Sequence, residues 1–134
     1  MADTMQFDLV SPERRLASGA ATSVLIPGTD GDLTAMPDHA PVITTLRPGI
    51  LTVELESGTE EYAVTGGFAE VSGTGATVLA EVALVKAEMT AEILSEQLAA
   101  ATKARDEAST ETIDAATKRV ADLEALGSAL GLSA

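Results

Sequence analysis

One segment near the front of the chain decides its fold: Pro27-Gly28-Thr29-Asp30-Gly31-Asp32-Leu33-Thr34-Ala35-Met36-Pro37-Asp38-His39-Ala40-Pro41. It holds three prolines, two glycines, three aspartates and the only histidine of the chain, and it lies between β-branched runs. Proline removes a backbone donor and glycine allows positive φ, so this composition disfavours a helix. The segment therefore predicts turns joined to short strands.

Short alternating segments, broken by glycines, occur on both sides of this segment up to about residue 85. In one of them Leu51, Val53 and Leu55 share one face of a strand, while the residues between them are polar. Similar segments lie at 7–10, 22–26, 62–64 and 77–80. Closely spaced, half-buried strands predict an antiparallel β-sandwich or flattened barrel over residues 1–85.

Residues 86–134 follow a helical period, because no glycine or proline occurs between Lys86 and Gly127. Two apolar stripes recur every three or four residues: Ala87, Ala91, Leu94, Leu98 and Ala101, then Ile113, Ala116, Val120 and Leu123. Thr90 is placed to cap the first helix, and Ser109 or Thr110 the second. The fold class is therefore α+β, an N-terminal antiparallel β-sandwich followed by a C-terminal antiparallel two-helix hairpin.

Composition excludes several classes of function. The net charge of −13 over 134 residues opposes binding to nucleic acid and to anionic lipid. Without cysteine and with a single histidine, conventional zinc sites are excluded, and aromatic residues at 2% argue against an aromatic-lined ligand pocket. No apolar run reaches the length of a membrane span and the first residues do not resemble a signal peptide, so we expect a soluble cytoplasmic protein.

Candidate catalytic and metal sites are weak. Asp38 next to His39 could orient an imidazole, but no serine in a nucleophile pattern accompanies them, and such pairs usually cap backbone groups in turns. The run 29–32 resembles part of a calcium loop but lacks its closing glutamate, since Pro41 occupies that region. We therefore predict no catalytic residue, no metal site and no cofactor.

Several short motifs in a fixed order resemble the ε subunit of bacterial F-type ATP synthase. They are Phe7-Asp8-Leu9-Val10-Ser11-Pro12-Glu13, the central segment continued by Val42-Ile43-Thr44, then Arg47-Pro48-Gly49, Gly66-Gly67-Phe68-Ala69-Glu70-Val71 and Thr77-Val78-Leu79-Ala80. Each motif is weak alone, but their order and spacing are specific and cover nearly the whole chain. The family's architecture, a β-sandwich followed by a helical hairpin, agrees with the change of period near residue 85.

The resemblance implies a non-catalytic rotor subunit of the central stalk, which couples rotation of the proton-driven c-ring to the γ subunit and to ATP synthesis. Its implied partners are the γ subunit and the c-ring, at the cytoplasmic face of the bacterial plasma membrane, with no insertion into lipid. The interface is expected at one tip of the sandwich, where acidic residues would meet a basic residue of the ring's loops. The residues assigned to this interface are Asp30, Gly31, Asp32, Leu33, His39 and Pro41.

The hairpin has a separate implied role. In some relatives it extends to the β subunit and inhibits ATP hydrolysis, or it binds ATP through an Asp-x-x-Arg-Ala motif. No arginine follows Asp106 or Glu92 at the matching place, so nucleotide binding is not carried over. The net charge of residues 85–134 is −4, which predicts at most weak inhibition at an acidic target. An alternative function is a free-standing acidic β-sandwich interaction module with a helical tail.

Overall fold

The computed structural model of the chain describes residues 4–132. Nine strands come first, and a short 3₁₀ helix, Lys86–Glu88, leads into two α-helices. The strands are β1 (Met5–Val10), β2 (Arg15–Gly28), β3 (Gly31–Ala35), β4 (Val42–Thr45), β5 (Gly49–Leu55), β6 (Gly58–Val64), β7 (Gly67–Val71), β8 (Gly75–Ala80) and β9 (Ala83–Val85). The helices are α1 (Ala91–Asp106) and α2 (Ile113–Leu130).

The long strand β2 joins the two layers of the sandwich. The first layer contains β4, β7, β8, β1 and the first half of β2, and the second layer contains the second half of β2 with β3, β5, β6 and β9. The strand order is β4-β7-β8-β1-β2-β5-β6-β9, and β3 pairs with β2. The first half of β2 pairs with β1 and its second half with β3 and β5, with a register irregularity between Ala21 and Ser23. Such an irregularity bends a strand and increases its twist. One apolar core, which includes Phe7, Leu9 and Leu51, fills the space between the layers.

The predicted fold class is confirmed: a β-sandwich precedes a pair of helices. All five predicted strands are present, and four more, β3, β4, β7 and β9, complete the sheet. The pairing departs from the antiparallel expectation in one place, because β1 and β8 run parallel. These strands lie far apart in sequence, and a long connection leaves their relative direction free, whereas a tight hairpin forces antiparallel pairing.

Two hairpin turns follow from local chemistry. Thr29 and Asp30 form the turn between β2 and β3, and Gly31, which closes it, has φ 127°. In the β5–β6 hairpin, Gly58 has φ 142° and pairs with Leu55 across the turn. Glycine occupies both positions because side chains rarely adopt these φ values. The carboxylates of Glu54, Glu56 and Glu60 around the second turn are exposed.

The two helices begin with different caps. The Thr90 hydroxyl accepts a hydrogen bond from the Ile93 amide at 3.2 Å, which confirms the predicted cap of α1. The prediction for α2 is wrong by two or three residues, because α2 begins at Ile113 with Thr112 at the N-cap position. The Thr112 hydroxyl accepts instead from the Ser109 amide, which holds a preceding turn and delays the helix.

The hairpin has its own small core, in which Leu94, Ala101, Val120 and Leu123 are buried between α1 and α2. These residues are members of the two predicted stripes. Helix α2 also lies against β5 on the outer surface of the second layer. Among the described residues, neither helix is long and apolar enough to cross a membrane.

Candidate interaction surfaces

The residues predicted to form one tip lie in two places. Asp30, Gly31, Asp32 and Leu33 form the β2–β3 turn and the start of β3. The first three are exposed, whereas Leu33 is half-buried and packs against the sandwich core. The four residues Asp30, Gly31, Asp32 and Leu33 are together called the acidic end below.

The side chain of Arg47 holds the acidic end together. Its Nη1 donates to the Gly28 carbonyl at 2.6 Å, and its Nη2 donates to Asp32 Oδ1 at 2.6 Å. The Arg47 amide also donates to the Pro27 carbonyl at 3.0 Å. Asp32 is thus already paired within the chain, whereas Asp30 lies at the exposed apex of the turn. Sequence reasoning treated the two aspartates alike, because the partner of Asp32 is fifteen residues away.

His39 and Pro41 lie near the opposite end of the first layer. The Asp38 amide donates to the Gly73 carbonyl at 2.9 Å, which ties this loop to the β7–β8 turn. Asp38 has φ 67°, a left-handed conformation that aspartate tolerates better than most residues. Strand β4, four residues long, runs from this loop back toward the acidic end, so its first and last Cα atoms are about 10 Å apart. The His39 amide donates to the Met36 carbonyl, and His39 Nδ1 lies 2.6 Å from the Ala40 carbonyl oxygen, so His39 makes its contacts within the loop.

An apolar surface missed by the sequence reasoning covers the outer face of β4, β7 and β8. Ile43, Phe68 and Leu79 are 69%, 43% and 38% exposed. Phe68 lies directly opposite both Thr45 and Leu79, and Ile43 opposite Glu70, so these side chains share the outer face. Val10 extends the row on β1, opposite Leu79. Val10, Ile43, Phe68 and Leu79 are called the outer patch below.

The signal for this patch was present in the sequence. Phe68 and Leu79 alternate with Ala69, Val78 and Ala80, which are buried on the inner face. Glu70 and Thr77 keep the outer face polar elsewhere on these two strands, so the apolar residues on both faces are confined to the paired positions Phe68 and Leu79. A strand that faces water on one side alternates with polar residues, so an interruption of the alternation indicates that this part of the outer face is covered.

Titratable groups within these surfaces form no catalytic arrangement. Residues 4–132 contain no group of three or more histidine or acidic side chains able to hold a metal ion. Among the residues that the structure describes, the pKa that departs clearly from its usual value is that of Tyr62. Burial raises this pKa to about 12, and the hydrogen bond to Glu60 and the charge of Glu60 act in the same direction.

The comparisons with known proteins agree with this reading. The family model described as the β-sandwich domain of the ATP synthase delta/epsilon chain matches residues 4–86. The ATP synthase epsilon chain of Rhodobacter capsulatus is 66% identical over 98% of this chain and all of the relative. That of Paracoccus denitrificans is 54% identical over 98% of this chain and 94% of the relative.

The fold is shared with a more distant structure. A chain in the Euglena gracilis mitochondrial ATP synthase, solved with OSCP, F1 and the c-ring, aligns with a TM-score of 0.73 at 22% identity, over 97% of this chain and 83% of that one. The match spans the helices as well as the sandwich. The chain belongs to the epsilon-chain family of ATP synthase subunits.

Proposed function

We propose that this subunit is part of the rotor and that its sandwich joins the γ subunit to the c-ring at the foot of the central stalk. The observation that carries the proposal is the outer patch, in which Ile43, Phe68 and Leu79 are exposed and Val10 is half-buried, on strands whose other face is buried. Contiguous apolar surface of this kind on a highly charged protein marks a protein interface. A rigid sandwich with two separate contact surfaces can transmit torque without slipping.

We assign the outer patch to the γ subunit. The patch is apolar at its centre, where Phe68 and Leu79 lie side by side, and carries Glu70 and Thr77 at its margin. Large apolar side chains surrounded by polar ones are typical of a stable protein–protein contact. The contact with the γ subunit has to persist while the rotor turns. An apolar patch suits such a lasting contact better than the acidic end does.

We assign the acidic end to the c-ring. Asp30 at the apex of the turn is exposed and its carboxylate extends from a two-residue turn whose base is fixed by Arg47. A carboxylate on a rigid turn complements a basic loop residue, and such pairs set specificity and the rate of association. Asp32 contributes by holding the turn in place, since its own charge is paired with Arg47.

Cross-linking tests both assignments in the assembled enzyme. The chain has no native cysteine, so a cysteine introduced at Phe68 or at Asp30 is the only thiol of this subunit that can cross-link. We expect Phe68→Cys to cross-link to γ and Asp30→Cys to the c subunit. Glu56→Cys, at the exposed β5–β6 turn, is the matched control and should react with neither. Reaction of Asp30→Cys with γ alone would overturn the c-ring assignment, and reaction of Phe68→Cys with neither subunit would overturn the γ assignment.

A charge variant tests the apolar contact directly. Phe68→Glu places a charge in the outer patch without touching the inner core, so the isolated chain should stay folded. We expect loss of co-purification with γ, because an unpaired charge is excluded from an apolar interface. Thr77→Glu, at the margin of the same face, should retain γ. Retention of γ by both variants would overturn the assignment of the outer patch to γ, whereas a parent chain that does not co-purify with γ would favour the free-standing interaction module.

We further propose that the chain lies at the cytoplasmic face of the bacterial plasma membrane. As a subunit of ATP synthase it associates with the membrane peripherally, through the other subunits. Its net charge of −13 opposes direct contact with anionic lipid headgroups. Flotation with vesicles that contain anionic lipid tests this: the free chain should stay with the soluble fraction, whereas the assembled enzyme should float.

A further inference from the structure

Strand β4 lies at one edge of the sheet, and the hydrogen bonds around it show which of its backbone groups point away from the neighbouring strand. The strand order ends at β4, which pairs with β7 alone. In an antiparallel pair, successive residues turn their amide and carbonyl alternately toward and away from the partner strand. The Leu46 amide donates to the Gly67 carbonyl at 2.8 Å, whereas the Thr45 carbonyl accepts from the Thr29 amide at 2.8 Å on the other side. Odd-numbered residues of β4 therefore face away from β7.

The outward side of β4 is a short free edge. Val42 and Thr44 turn their backbone groups to β7, and Ile43 and Thr45 turn theirs outward. Among residues 4–132, no hydrogen-bond partner lies on the outward side for the Ile43 amide, the Ile43 carbonyl or the Thr45 amide. Pro41 has no amide, and the Thr45 carbonyl is already bonded, so these three groups are the ones that a further strand can reach.

This edge lacks the charges that usually protect an exposed strand. Of the other strands with one neighbour, β3 carries Asp32, and β9 has only three residues and leads into Lys86. The sequence of β4, Val-Ile-Thr-Thr, has no charged side chain in a chain that is 22% charged, and Ile43 is 69% exposed. Soluble proteins cover or charge such edges because they are templates for pairing with another chain. The bare edge of β4 therefore indicates that a partner covers it.

The side chains of β4 define the kind of segment that fits. Ile43 belongs to the outer patch, so the edge continues that surface. Val42 points to the other face, where it is half-buried and packs against the sandwich core. A strand added to β4 would place one side chain beside Ile43 and the next beside Val42, since side chains alternate between the faces. The matching segment is extended, uncharged, about three or four residues long and apolar on both faces.

We propose that an extended segment of the γ subunit adds to β4 as a further strand and pairs with the backbone of Ile43 and Thr45. The inference rests on the assignment of the outer patch to γ, because the patch and the free edge share Ile43. Backbone hydrogen bonds supply affinity in such strand addition, and alternate side chains supply specificity. Slipping by one residue would turn each apolar side chain to the wrong face, so the pairing also resists sliding while the rotor turns.

Amide hydrogen exchange, resolved to single residues by fragmentation mass spectrometry, tests the proposal on the unaltered chain, free and in complex with γ. We expect the Ile43 and Thr45 amides to exchange rapidly in the free chain and at least about tenfold more slowly in the complex, because an amide paired in a sheet exchanges only when the pairing opens. The Val42 and Thr44 amides are the internal control, since β7 protects them in both states.

The outcomes separate this inference from the proposed function. Unchanged exchange of Ile43 and Thr45 in a stable complex with γ would overturn the added strand and leave the γ assignment intact. Protection of both amides in the free chain that disappears on dilution would place a second copy of this chain on the edge and overturn γ as the occupant. If the unaltered chain forms no complex with γ, the proposed function fails and the added strand fails with it.

A matched pair of variants tests the backbone contact itself. Ile43→Pro removes the outward amide but leaves the bonds to β7, because proline is accepted on an edge strand where its nitrogen faces solvent. Ile43→Val keeps the amide and a branched apolar side chain. We expect Ile43→Pro to bind γ at least about tenfold more weakly than Ile43→Val, with both variants folded by thermal melting. Equal affinity of two folded variants would contradict strand pairing at this edge.

Discussion

At the scale of single residues, backbone conformation and close packing determine which residue a position accepts. Gly67 opens β7 with φ 109°, and a Cβ there would lie 2.0 Å from the Leu79 carbonyl oxygen. The neighbouring strand β8 passes directly over this position, so neither the backbone nor the space allows a side chain. Gly67 thus allows the close packing of β7 and β8, and Gly66 leaves the space that the Arg119 guanidinium occupies.

We predict that Gly67→Ala destabilises the chain by about 2–4 kcal/mol, because strain at positive φ and a backbone clash combine. Chemical denaturation of the purified chain measures the effect. Gly19→Ala is the matched control, since Gly19 lies in β2 with no atom within 4 Å of its would-be Cβ. A Gly67→Ala variant as stable as Gly19→Ala would contradict this account of the β7–β8 contact.

Tyr62 gives the chain a pH-dependent contribution to stability at alkaline pH. Burial and Glu60 raise its pKa from 10.0 to about 12 in the folded state. The unfolded state loses the phenol proton first, so this contribution is complete below pH 10 and is lost as pH rises from 10 to about 12. Tyr62→Phe should therefore show a smaller loss of stability than the parent between pH 9 and 11, measured by urea denaturation. Equal losses would show that other groups account for the alkaline dependence.

At the scale of elements, the hydrophobic period located both helices, and the Thr90 cap located the start of α1. The period of three and four residues identified Leu94, Ala101, Val120 and Leu123, which the hairpin buries. The predicted start of α2 was wrong because three hydroxyl residues, Ser109, Thr110 and Thr112, lie within four positions, and local sequence does not choose among them. Their hydrogen bonds select Thr112 as the last residue before the helix.

We predict that Thr90→Ala lowers stability of the hairpin by about 1 kcal/mol, the usual effect of removing an N-cap hydroxyl. Thr110→Ala is the control, because Thr110 is exposed and does not cap α2. Thermal melting followed by helical circular dichroism distinguishes the two variants. A larger effect of Thr110→Ala would mean that α2 begins earlier than Ile113.

At the scale of the whole molecule, the sandwich core is complete without the hairpin. The buried residues that form it all lie between Met5 and Ala83, so truncation after Lys86 removes none of them. The hairpin adds an acidic body with a net charge of −4. Such a body associates poorly with an acidic target, which is the basis for expecting weak inhibition of ATP hydrolysis or none.

We predict equal rates of ATP hydrolysis by the catalytic head reconstituted with the full chain or with a chain ending at Lys86. Equal rates would mean that the hairpin has no effect on ATP hydrolysis and that the sandwich carries the function of the subunit. Binding of both chains to the head is verified by gel filtration before rates are compared. Clearly faster hydrolysis with the shorter chain would show that the hairpin inhibits despite its charge.

The sequence by itself determined the two-part architecture, the strands with clear alternation, the first helix cap and the acidic turn at Asp30. These features depend on neighbours within about four residues, where φ preferences and side-chain period act directly. Only the tertiary structure decided that His39 lies away from Asp30, that Arg47 neutralises Asp32, that Phe68 and Leu79 form one patch, and that Arg119 meets Thr65. Each of these depends on strand register or helix docking, which join residues between eleven and fifty-four positions apart and are set by burial of the shared core.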